Sequence, residues 1–83
     1  MAVTVIYCSI PQRHVAERAT REAIGNRAGD WTVCLVEPPH QRLWVIVVDG
    51  PNGFAQTWIF DDDDKQLATV RNVISRDLGD AGY

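Results

Sequence analysis

Two strand-like runs, Leu43-Trp44-Val45-Ile46-Val47-Val48 and Phe54-Ala55-Gln56-Thr57-Trp58-Ile59-Phe60, flank Asp49-Gly50-Pro51-Asn52-Gly53, and the hairpin they define is apolar on both faces. Successive side chains of a strand point to opposite faces. One face therefore carries Trp44, Ile46, Val48, Phe54, Trp58 and Phe60, and the other Leu43, Val45, Val47, Ala55 and Ile59. A sheet of this kind needs two covers. An 83-residue chain buries only roughly 60 to 65% of its unfolded surface, and it has few elements to spend on covering. Gly50-Pro51-Asn52-Gly53 suits a type I turn centred on Pro51 and Asn52, with Gly53 as a left-handed bulge. That register sets Trp44 opposite Phe60 and Ile46 opposite Trp58, pairs that add roughly 0.2 to 1 kcal/mol each.

The remaining elements decide how much cover there is. Val3, Val5 and Tyr7 alternate with Thr4, Ile6 and Cys8 in a β-branched run that reads as a strand and stops at Ser9. Ser9 and Gln12 have the spacing of a capping box, and Pro11 suits a first helical turn, so a helix is predicted from about Pro11 to Ala28 with Gly29 as its C-terminal cap. Its inward stripe, Val15, Ala16, Ala19, Ala23 and Ile24, is thin. Trp31 to Val36 alternates again as a second strand, broken by Glu37-Pro38-Pro39-His40-Gln41. After the hairpin, Leu67, Val70, Ile74 and Leu78, with Val73 beside them, recur at helical spacing. Asp63 and Gln66 have the form of a second capping box, Gly79 ends the helix, and residues 79–83 are expected to fray.

The predicted order is β-α-β-β-β-α over residues 1–83, one α+β domain: a two-layer sandwich with a four-stranded mixed sheet. Its first strand, helix and second strand form a crossover, the other strands form an antiparallel meander, and both helices pack on one face. The second face is left bare.

Composition excludes several chemistries. With 46% apolar and 23% charged residues the chain is an ordinary globular protein, not a disordered one. Residues 1–42 carry five Arg against four acids and residues 43–83 three basic against seven acidic residues, so the net −3 is concentrated in the second half, where Asp61 to Asp64 lie. This is not the footprint of a general nucleic-acid binder. Cys8 and Cys34 stand in no metal-binding spacing and read as two buried reduced thiols, although neighbouring strands would also allow a disulfide. No run approaches the ~20 apolar residues of a membrane span, no leader segment is visible, and a soluble cytoplasmic protein is expected.

The candidate motifs each have a plain structural explanation. Contiguous aspartates do not converge on an ion as alternating ones do, so Asp61, Asp62, Asp63 and Asp64 read as acids at a helix start, where they satisfy free N–H groups and oppose the positive dipole end. The same run could instead mimic nucleic-acid phosphates before a basic partner. Arg13, Arg18, Arg21 and Arg27 share a helix with Glu17 and Glu22 and read as a solvated, ion-paired face, with phosphate contact by Arg13, Arg18 and Arg21 as the alternative. His14 and His40 have neither a specified nucleophile nor an orienting group, and no catalytic residue, metal ligand or cofactor site is assigned. Trp31, Trp44 and Trp58 read as core rather than as a stacking platform.

From Trp31 onward, three strands and a helix, with Pro39-His40 ahead of the middle strand, resemble the second half of a double-stranded-RNA-binding domain over about fifty residues. That resemblance implies RNA binding through a lysine cluster at the start of the last helix, where this chain carries Asp61 to Asp64. Carboxylates there repel the backbone that lysines attract. The expectation that follows is a non-enzymatic protein-interaction module, a homodimer or a partner to another protein, with Trp44, Ile46, Val48, Phe54, Trp58 and Phe60 as candidate interface and the four aspartates as a candidate acidic contact.

Overall fold

A computed structural model describes residues 2–9, 13–38 and 40–83. The elements are β1 (Ala2–Ser9), α1 (Arg13–Ile24), β2 (Asp30–Val36), β3 (Trp44–Asp49), β4 (Ala55–Phe60) and α2 (Leu67–Asp80), with short 3-10 turns at Pro51–Gly53 and Asp62–Asp64. The strands form one mixed sheet in the order β1-β2-β3-β4. β1 and β2 run parallel across the α1 crossover, and β2, β3 and β4 form an antiparallel meander. Both helices lie against one face of the sheet and against each other. This is the predicted α+β sandwich, and Trp44 faces Phe60 and Ile46 faces Trp58 as the hairpin register requires.

The core explains how so thin a helix stripe suffices. Ala16, Ala19, Ala23 and Ile24 of α1 meet Val70, Ile74 and Leu78 of α2 above Trp31, Val33, Leu35, Trp44, Ile46, Val48, Trp58 and Phe60 of the sheet. Bulk comes from the sheet and from α2, while the alanines let α1 approach closely. Thr20, also fully buried on α1, escapes the apolar pattern by donating its hydroxyl to the Ala16 carbonyl at 2.8 Å, the back-bonding that lets a hydroxyl sit inside a helix.

Element ends differ from the sequence expectation for local reasons. α1 stops at Ile24, not Ala28, because Gly25 takes a φ of +56° and returns its N–H to the Arg21 carbonyl at 2.9 Å. The Arg27 guanidinium then accepts the role of cap: Nη1 donates to the Ala23 carbonyl at 2.6 Å and the Ile24 carbonyl at 3.3 Å, and Nη2 reaches the Ser75 carbonyl of α2 at 3.4 Å. The Ser9–Gln12 box lies outside the described residues, as does the Cys8 side chain and with it any pairing to Cys34. At the hairpin, Asn52 and Gly53 both have positive φ and the Phe54 N–H bonds the Pro51 carbonyl at 3.2 Å. The tight turn is therefore the Asn-Gly type, one residue later than expected, and it matches strand twist better than a type I turn.

The chain end is docked, correcting the expectation that residues 79–83 fray. α2 runs through Gly79 to Asp80 and closes in a Schellman motif, with the Tyr83 N–H on the Leu78 carbonyl at 2.9 Å and the Gly82 N–H on the Gly79 carbonyl at 3.1 Å. The Tyr83 ring lies edge-on to Trp31 and Phe54, with centroids 5.4 and 5.0 Å away, and its hydroxyl donates to the Pro51 carbonyl at 2.7 Å.

Candidate functional site: the uncovered sheet face

With both helices on one side, the strand register assigns the other side residue by residue. Ile6, Cys34, Val47 and Thr57 form one row across the four strands, Val36, Val45 and Ile59 the next, and Thr4, Thr32, Asp49 and Ala55 a third. The two rows richest in apolar side chains lie side by side. Ile59 is 64% exposed and Ile6 48%, at opposite edges of the sheet, while Cys34, Val36, Val45 and Val47 between them are half-buried by their neighbours alone.

Of the two hairpin faces, the candidate Trp44 set is the covered one. Trp44, Ile46, Val48, Trp58 and Phe60 are buried beneath the helices, and Phe54 is half-buried against the same core. The hairpin set with the greater apolar volume took the helical cover, and the Val45 set was left. The three tryptophans are core, as their spacing suggested.

Acids rim this face at both strand ends. Asp49 ends β3 and Asp30 begins β2, both exposed. At the other end, Asp61 extends from β4 and its carboxylate accepts the Asp63 N–H at 3.1 Å, opening the Asp62–Asp64 turn. The run does not cap α2, which starts at Leu67 after Gln66 with no side-chain cap, so the Asp63–Gln66 box is not formed. All four aspartates are exposed. The charges of Asp61 first, and also burial and Asp63, raise the Asp64 carboxyl above its ordinary range. Lys65 offsets part of this charge: its ammonium bonds Asp62 at 2.9 Å and Glu37 at 3.1 Å and lies 5.7 Å from the centre of the Trp44 ring. Burial alone would lower this ammonium, but the Asp62 and Glu37 carboxylates outweigh it and hold it above its ordinary value. Arg42 stands 3.9 Å from Asp62.

The other predicted groups do not gather. Arg18 pairs with Glu22 at 2.7 Å and Arg21 with Glu17 at 3.3 Å along α1, and the Arg18 hydrogen bond, ahead of that from Arg71, holds the Glu22 carboxyl low. His14 is exposed on α1 and His40 is exposed in a loop with φ of +62°. Among the described residues no three His, Cys, Asp or Glu side chains are placed to hold a metal ion, and no helix is long and apolar enough to cross a membrane.

Sequence reasoning missed Asp77. Its carboxylate accepts the Trp58 indole N–H at 2.7 Å and the Gln56 amide at 3.4 Å, tying α2 to β4. The Trp58 bond first, with help from Arg76 and Gln56, lowers this carboxyl against the opposing effect of burial. The signal was available in principle, since a buried tryptophan seeks an acceptor, but the pairing could not be assigned before the helix was docked. No protein-family model matches the chain, and no curated protein matches it in sequence.

Proposed function

We propose that the chain is a small non-enzymatic protein-interaction module that docks another protein molecule on its uncovered sheet face. The supporting observation is the pair of adjacent apolar rows from Ile6 to Ile59, built on a rigid sheet and left without helical cover. The largest apolar patch on a small protein is often functional. A cytoplasmic setting fits the sparse cysteine content. A double-stranded-RNA reading has less support: Arg18 and Arg21 are committed to glutamates, and carboxylates occupy the approach to α2.

Size-exclusion chromatography with light scattering, alongside binding of a hydrophobic dye, tests the reading. The expected result is self-association or dye binding by the wild type, with both lost in the Ile6→Thr/Ile59→Thr double variant, whose β-branched replacements preserve strand preference. A wild type that stays monomeric at high concentration and binds no dye would overturn it.

A further inference from the structure

We infer that the occupant of this face is a segment of a different protein, carrying apolar side chains between two basic ends, and not a second copy of this chain. The inference rests on the docking role proposed above and adds the identity of what docks. Its basis is size and charge. Three residue rows about 7 Å apart on strands about 4.8 Å apart give a footprint of roughly 400 Å², half of the ~800 Å² that each partner of a standard complex contributes. A stable occupant therefore reaches beyond the apolar rows and onto the strand ends.

Both ends are acidic. Asp30 and Asp49 stand at one, where no ion pair holds either of them among the described residues; the exposed Asp61 to Asp64 stand at the other, where Lys65 bonds Asp62 and the largely buried Glu37, and Arg42 approaches Asp62 at 3.9 Å. Two aligned sheets packed face to face around a two-fold axis bring the Asp49 end against either its own copy or the Asp61 end. Acid meets acid in each case, and like charges juxtaposed across an interface disfavour that pairing. A partner with lysine or arginine at both ends meets the opposite sign twice, on a span of about 20 Å, the length of three rows of side chains or of some 14 residues of helix.

The probe is a synthetic 14-residue amphipathic peptide with leucines along one face and a lysine pair at each end, compared with the same peptide carrying glutamate pairs. Titration into the 15N-labelled protein should shift the amides of Ile6, Cys34, Val47 and Ile59, with affinity at least tenfold higher for the lysine peptide and falling with salt. Asp30→Asn/Asp49→Asn should weaken binding severalfold. Ile6→Thr/Ile59→Thr should weaken it at least tenfold at unchanged charge, and the wild-type shift map stands as the readout should that variant not fold. Equal binding of both peptides overturns the inference, as do shifts confined to Asp61 to Asp64. A dimer that protects the Ile6 and Ile59 amides overturns it while leaving the docking role intact. Absence of both peptide binding and self-association removes the two together.

Discussion

Gly50 illustrates how a single residue fixes the relation between hairpin and core. Its backbone is extended, with φ of −131°, so conformation alone would admit any side chain. Space does not: a Cβ there would lie 2.6 Å from the Trp31 ring, and Trp31 is itself buried and held by Phe54 and Tyr83. Gly50→Ala is expected to destabilise by about 1 to 3 kcal/mol, the cost of overpacking, as a lowered denaturant midpoint with unchanged slope. The glycine was visible in the sequence as turn punctuation, but its contact with Trp31 was not, because that contact joins the hairpin turn to β2 and only the folded sheet brings the two together.

At the scale of elements, periodicity carried far and caps did not. The alternation of residues 44–49 and 55–60 identified both hairpin strands and their register, and the spacing of Leu67, Val70, Ile74 and Leu78 identified α2. Both follow from geometry internal to one segment. The element ends depend on which side chain reaches which carbonyl. Asp63 was equipped to start a helix, yet the run folded on itself as a 3-10 turn held by Asp61 and Lys65. Tyr83 was read as part of a frayed tail, yet it completes the α2 terminus and plugs the space beside Trp31. Tyr83→Ala should lower stability by about 2 to 4 kcal/mol, in the range of aromatic truncations at partly buried sites. Tyr83→Phe should cost about 0.5 to 1.5 kcal/mol, the worth of one hydrogen bond. Both are measured by urea unfolding, and equal stability of the Ala variant and wild type would show that the ring does not hold α2. Which face of the hairpin the helices would take was likewise illegible, since both faces are apolar and the choice rests on the docked position of α1 and α2.

For the whole molecule, acid stability reports two carboxylates of opposite sense. Asp77 is depressed in the folded state by Trp58, so the folded protein binds fewer protons there. Its contribution is present above the ordinary carboxylate range and is lost as pH falls below about 4. Asp77→Asn keeps an acceptor for the indole but loses the charge, and should cost about 1 kcal/mol at pH 7, a gap that closes on acidification. Asp64 is raised by Asp61, so its contribution is favourable only at low pH and is lost as pH rises through its folded value. Asp64→Asn should therefore stabilise the protein at neutral pH and be without effect below about pH 4. Thermal unfolding between pH 3 and 7 measures both, and parallel curves for either variant and the wild type would refute the assignment. The hairpin strands divide their labour by parity. In β3 and β4 the even-numbered residues hold the core and the odd-numbered ones face outward. A change at Val45, Val47, Thr57 or Ile59 leaves the interior packing of its neighbours untouched, so the chemistry of the outer surface can be rewritten without repacking the core beneath it.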